Sequence, residues 1–212
     1  RSVIHFAALK AVGESEKIPL DYYHNNLVST MNLLKSMVQC GVKNLVFSSS
    51  CTVYGQPDRL PVTESSPVKP AMSVYGNTKK MCEDIIRDTS FVSGINSISL
   101  RYFNPAGAHS SGLLGDSPVK PSDNVMPAIT QTAIGKRKRL EIYGNDYDTP
   151  DGTCIRDYIH VEDLARAHVD AIKRLSKKQN KNSFEIFNLG TGKGFSVMEL
   201  INAFTTLTGV KL

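Results

Sequence analysis

The chain has 212 residues, 41% of them hydrophobic and 21% charged, with a formal charge of +5 at pH 7. That balance excludes a disordered polar tract and suffices to bury the core of one domain, or of a domain with a smaller lobe. No apolar run approaches the roughly 18 to 20 residues of a membrane helix, and no charged-then-apolar leader precedes a cleavage site, so a soluble, non-secreted chain with no membrane partner is expected.

Arg1 and Ser2 run at once into Val3-Ile4-His5-Phe6-Ala7-Ala8, which reads as a buried strand. A chain rarely starts inside its sheet, so the sequence reads as an internal piece of a longer protein. Across residues 21–40, Leu27, Met31, Leu34 and Val38 mark a helix closed by Gly41, and 43–48 supply a second buried strand. A loop with Pro57, Pro61, Pro67 and Pro70 leads to a helix over 74–92, stopped by Gly94, and then a strand over 97–102. Strands separated by helix-length segments predict an α/β fold, with a parallel sheet covered on both faces. Ligands of such sheets sit beyond the carboxyl ends of the strands.

After Asn104 a Gly-, Ser- and Pro-rich loop runs to about residue 123, which divides the chain into 1–123 and 124–212. A helix over 125–134 and a strand over 140–143 follow, then a loop rich in Asp and Gly. Residues 161–175 are amphipathic through Leu164, Ala167, His168, Ala171 and Leu175, and His168 reads as a packed core histidine. A polar connector over 177–182 precedes an apolar run, 184–189, placed to return to the main sheet. Ser196 and Glu199 form a capping box for the last helix.

Cys40, Cys51, Cys82 and Cys154 are far apart and form no C-x-x-C pair, which argues against a metal site or a disulfide framework and for a cytoplasmic protein. The basic run Lys136-Arg137-Lys138-Arg139 stands alone, without interleaved aromatics, and reads as a solvated turn; no nucleic-acid partner is expected.

The strongest chemical constellation is Ser48-Ser49-Ser50 at a strand end, with Tyr75 and Lys79 on the next helix. Residues four apart share a helix face, so the ammonium of Lys79 lies beside the Tyr75 phenol and is expected to lower its pKa from about 10. Tyr75 then becomes a general base. A chance pair on a solvated helix face is the bland alternative in a chain with eight tyrosines. The serine at the strand end, able to bond the same substrate oxygen, tells against chance. The set resembles the Ser, Tyr, Lys trio of the short-chain dehydrogenase superfamily.

Further stretches sharpen the likeness: Leu9-Lys10-Ala11-Val12-Gly13-Glu14-Ser15, Thr52-Val53-Tyr54-Gly55, Arg101-Tyr102-Phe103-Asn104-Pro105, Gly144-Asn145-Asp146-Tyr147 and Arg156-Asp157-Tyr158-Ile159-His160-Val161. In order and spacing the chain resembles the UDP-glucose (UDP-galactose) 4-epimerases. The resemblance implies a truncated NAD-binding Rossmann-like sheet with part of a smaller UDP-sugar-binding lobe, and a homodimer when full length. It implies Ser50, Tyr75 and Lys79 as the catalytic trio. Phe6, Ala7, Ala8, Leu9, Lys10, Asn25 and Phe103 would join that trio at NAD. Asn104, Asn124, Val125, Glu141, Tyr143 and Arg156 would join Ser50 and Tyr75 at the UDP-sugar. The implied reaction oxidises C4 of UDP-galactose or UDP-glucose, turns the 4-keto sugar and reduces its other face.

No G-x-G-x-x-G or G-x-x-G-x-x-G loop follows a strand, and Gly190, Gly192 and Gly194 come too late in the family's order, so this chain alone is expected to be inactive. Smaller departures are Ala8 where glycine is usual, Cys51 where alanine is usual, and Asp123 beside Asn124. A 4,6-dehydratase would carry an Asp-Glu pair where Cys51 and Thr52 stand. The nearer alternatives are a 4-epimerase of another UDP-sugar (N-acetylated, glucuronate or arabinose) and a non-catalytic truncated chain.

Overall fold

A computed structural model of the chain describes residues 1–116 and 124–212. It divides into two compact units, Arg1–Phe103 with Leu164–Leu189, and Asn104–Asp163 with Gly190–Leu212. The division falls at 103/104, upstream of the boundary expected at 123, because 104–106 enter a strand of the second unit. Asp123 lies outside the described residues.

The first unit is a four-stranded parallel sheet of order β1-β2-β3-β6, made of β1 (Ser2–His5), β2 (Asn44–Ser48), β3 (Asn96–Tyr102) and β6 (Phe184–Leu189). Side chains alternate along a strand, so each strand feeds two layers. Leu45 and Phe47 of β2 pack with Leu34 and Met37 of α2 (Pro19–Gln39) and with Cys82 and Ile86 of α3 (Val74–Ser93). Val46 of β2 joins Ile98 and Leu100 of β3 against Ala171 and Leu175 of α5 (Val161–Ser176). Both faces are therefore covered. Before α2 comes a single turn, α1 (Val12–Ser15); α3 ends at Gly94, whose φ of 67° any Cβ would strain.

β1 is shorter and less buried than the apolar run 3–8 suggested. The strand stops at His5, its only buried residue, and Phe6 is 58% exposed. Its place at the end of the sheet order explains this, since it pairs with β2 on one side only among the described residues.

The second unit holds a small sheet of order β4-β5-β7: β4 (Asn104–Ala106) runs parallel to β5 (Ile155–His160), and β7 (Gly194–Ser196) antiparallel to it. Pro105 is tolerated in β4 because that strand is an edge. Two helices accompany the sheet, α4 (Val125–Ala133) and α6 (Val197–Thr208), the latter opened by the Ser196–Glu199 capping box. The strand expected over 140–143 does not form: those residues have no ladder partner among the described residues, and Glu141, Ile142 and Tyr143 are exposed. Alternating composition there reflects a cavity wall, not a sheet. No described helix is long and apolar enough to cross a membrane, and the described residues contain no cluster of metal-ligating side chains.

Candidate active site

In the first unit every strand of the sheet runs the same way, so the segments after β1, β2 and β3 emerge at one edge. Ser50 stands two residues past β2 and caps a 3-10 turn, Cys51–Tyr54, by accepting from the Thr52 amide at 3.3 Å and from the Thr52 hydroxyl at 2.9 Å. Gly55 ends the turn with φ 64° and ψ −138°, a conformation open to glycine alone. Tyr75 and Lys79 sit on the first two turns of α3, whose N-terminus is capped by Ser73. All three of Ser50, Tyr75 and Lys79 are buried. The Ser50 hydroxyl lies near enough to the Tyr75 phenol to favour its ionised form.

The electrostatics differ from the expectation. Burial pushes the Tyr75 phenol up, with Tyr102 adding to the effect, and only the Ser50 hydroxyl pulls it down. Lys79 directs its ammonium elsewhere: Nζ donates to the Ser48 carbonyl at 2.8 Å and lies 5.9 Å from the centre of the Tyr75 ring. Burial lowers the pKa of Lys79 itself to about 8. Four-residue spacing brings the two groups to one face, but burial, and not the pairing of the two, dominates both shifts.

The segment after β1 carries the predicted cofactor residues. Phe6, Ala7 and Lys10 are exposed, and Ala8 and Leu9 half-buried. Asn26 clamps this segment: its Oδ1 accepts from the Leu9 amide at 2.8 Å, and its Nδ2 donates to the Leu9 carbonyl at 3.1 Å and to Thr78 Oγ1 at 3.0 Å. Asn25, the predicted residue, is exposed and donates to Asn26 Oδ1. Phe103, half-buried, follows β3 and bonds the Leu189 carbonyl through its amide. Below Phe6, at a ring separation of 4.6 Å, lies His168. Its Nδ1 bonds the Leu164 carbonyl at 2.8 Å, and a carbonyl only accepts, so Nε2 is the acceptor for the Ser48 hydroxyl at 2.7 Å. His168 is a core histidine, as its place in the apolar stripe suggested.

The donor set suits a dinucleotide's ribose and nicotinamide. Lys79 has three protons and spends one on Ser48, which leaves two for hydroxyl acceptors.

In the second unit a cavity of about 270 Å³ is lined by six of the eight residues expected at the sugar nucleotide, Asn104, Asn124, Val125, Glu141, Tyr143 and Arg156, whereas Ser50 and Tyr75 belong to the first unit. Asn104 donates to the Asp157 carbonyl at 3.0 Å, which fixes its amide at the wall. Arg156, from β5, donates to the Ile155 carbonyl at 2.8 Å and remains exposed. Glu141 accepts from Arg139, which holds its carboxyl below the usual range. Arg137, Cys154 and Tyr158 line the same cavity and were missed from the sequence. Tyr158 is detectable in principle, two residues past Arg156 on the same face of a strand. A wider depression of about 660 Å³ beside Asp151 and α6 shares only Ile142 with that lining and holds none of the predicted residues.

Known proteins resemble this chain in sequence and fold. Residues 1–190 match the NAD dependent epimerase/dehydratase family. A UDP-glucose 4-epimerase of Dictyostelium discoideum is 54% identical over 204 residues, 96% of this chain and 58% of that protein. The Homo sapiens UDP-glucose 4-epimerase is 50% identical over 212 residues, 100% of this chain and 60% of the other. A crystal structure of UDP-glucose 4-epimerase from Bifidobacterium longum, in complex with NAD+ and UDP, superposes with a TM-score of 0.92 at 49% identity, covering 98% of this chain and 61% of that one. The chain belongs to the NAD dependent epimerase/dehydratase family, and its parallel sheet is the Rossmann-like sheet of that family. It spans 58% to 60% of the length of these two relatives.

Proposed function

We propose that the protein interconverts UDP-galactose and UDP-glucose, using NAD held at the strand ends of the first unit. The observation that carries this reading is the buried Ser50, Tyr75 and Lys79 set at the carboxyl end of a parallel sheet, in a chain half identical to UDP-glucose 4-epimerases. NAD, when bound, would supply the hydride acceptor for C4 and a second positive charge. Residues 6–10, Asn25, Phe103 and Lys79 would hold it, Lys79 through the two protons it has left.

Tyr75 takes the proton from the sugar O4 as C4 is oxidised and returns it when C4 is reduced. The Ser50 hydroxyl orients that oxygen and favours the phenolate. Asn104, Asn124 and Arg156 would engage the diphosphate, where a forked guanidinium matches two oxygens, and Val125, Glu141 and Tyr143 the uridine side. Cys51 and Thr52 offer no carboxylate pair to eliminate water, which favours epimerisation over dehydration.

We assign the protein to the cytoplasm, on the strength of its free, separated cysteines. A homodimer is the expected assembly: of the α2 stripe, Leu34 is core, whereas Met31 and Val38 are exposed and available to a second copy. Sedimentation of the whole protein checks this.

The decisive assay is conversion of UDP-galactose by the protein expressed from its complete reading frame, beside a Tyr75→Phe variant. The parent turns over, and the variant loses about 100- to 10,000-fold in kcat, the usual worth of a general base. A variant as fast as the parent removes Tyr75 from the mechanism; a parent that converts only another UDP-sugar moves the substrate.

A further inference from the structure

Glu83 lies one helical turn beyond Lys79 on the face of α3 that carries Tyr75, and it is 4% exposed. Its Oε1 accepts from Ser49 Oγ at 2.6 Å, Ser99 Oγ at 2.9 Å and Arg101 Nε at 3.0 Å, and its Oε2 from Arg101 Nη2 at 2.6 Å. Two turns further along, Ser90 pairs with Ser97 at 2.7 Å. The side of β3 that meets α3 is thus polar: Ser97, Ser99 and Arg101, all buried. On its other side the Arg101 guanidinium lies 4.7 Å over the Tyr54 ring.

A seam of this kind has one axial setting. An apolar seam tolerates a slide of an ångström or so, because dispersion is not directional. Here a slide leaves buried hydroxyls, a guanidinium and a carboxylate without partners, which is the costly outcome. The spacings agree with a single register: from Glu83 to Ser90 is about 10 Å along a helix, and from Ser97 to Ser99 or Arg101 about 7 to 13 Å along a strand.

The same seam reaches the strand end that holds the reacting groups. Three consecutive residues meet three successive turns of α3: the Ser48 carbonyl meets Lys79, the Ser49 hydroxyl Glu83, and Ser50 Tyr75. We propose that Glu83 is a positioning residue, which fixes the axial register of α3 on β2 and β3 and so sets the height of Tyr75 and Lys79 against Ser50. Its carboxylate oxygens are taken up by Ser49, Ser99 and Arg101. The consequence for turnover rests on the reaction proposed above; the register itself does not.

The test compares the whole protein with Glu83→Gln, Glu83→Asp and Ser49→Ala. Glu83→Asp keeps the charge but shortens its reach, and Ser49→Ala cuts the tie to the strand end while the ion pair with Arg101 stays, which protects the fold. Because a misplacement of about 1 Å costs on the order of a hundredfold, kcat for UDP-galactose should fall by that order in both Glu83 variants. In Ser49→Ala it should fall about tenfold, by the same argument, with KM and melting temperature near the parent's. Crystal structures of the variants should show the Lys79 Nζ to Ser48 carbonyl bond, 2.8 Å in the parent, opened. Variants that keep this bond and the parent's kcat overturn the proposal, as do losses confined to melting temperature with the bond intact. If the parent leaves UDP-galactose untouched while the bond opens in the variants, the assigned reaction fails and the register stands.

Discussion

Lys79 carries the titration most open to measurement. Burial lowers its pKa to about 8, against 10.5 for the ordinary side chain. The ammonium proposed to contact the ribose is therefore lost on the alkaline side, and kcat/KM for UDP-galactose should drop as pH rises past about 8. Stability moves the other way. Between about 8 and 10.5 the unfolded chain holds the proton that the folded one has released, so this group's contribution to stability rises with pH across that window. Lys79→Met should abolish activity yet melt no lower than the parent at pH 7, because it ends the burial of a charge; calorimetry beside the rate assay checks both. Spacing alone predicts that Tyr75 and Lys79 share a face, and they do. It says nothing of the carbonyl of Ser48, and that carbonyl is where the ammonium goes.

Among the elements, the turn that presents Ser50 is held by backbone geometry. Gly55 closes it at φ 64°, and a Cβ there would collide with the Pro70 carbonyl. Gly55→Ala should cost at least about 1 to 2 kcal/mol, the strain of an L-residue at positive φ, and should lower kcat along with it. Denaturant midpoints and initial rates on one preparation test the coupling. Helices and sheet strands were legible in the sequence because their apolar periods are long: α2, α3, β2, β3 and β6 lie within one or two residues of the expected ranges. The small strands β4, β5 and β7 were not, since their residues are mostly exposed or half-buried and form no apolar run. The strand expected over 140–143 fails for the converse reason, an alternating composition with no partner to pair with.

For the molecule as a whole, the buried histidines contribute to the loss of stability in acid. Burial, then the charge of Lys79, pulls the pKa of His5 down to about 4, and burial lowers that of His168. A folded value below the unfolded 6.5 means that the unfolded chain takes up the proton first. The stabilising contribution of neutral His5 is complete above pH 6.5 and is lost as pH falls toward 4. Melting temperature should fall through that window, and His5→Gln, which takes up no proton, should lose less; a thermal scan at stepped pH decides it.

The sequence by itself determined the alternation of strand and helix and the parallel sheet, which follow from hydrophobic period, and its motifs pointed to the family. Those signals are local. Only the tertiary structure decided that Asn26 clamps the segment beside Asn25, that Glu83 and Arg101 pair 18 residues apart inside the α3–β3 seam, and that the Tyr75 phenol holds its proton more tightly than usual. Each depends on burial and on partners distant in sequence. Desolvation acts on a group only once its neighbours are in place, and no spacing rule contains it.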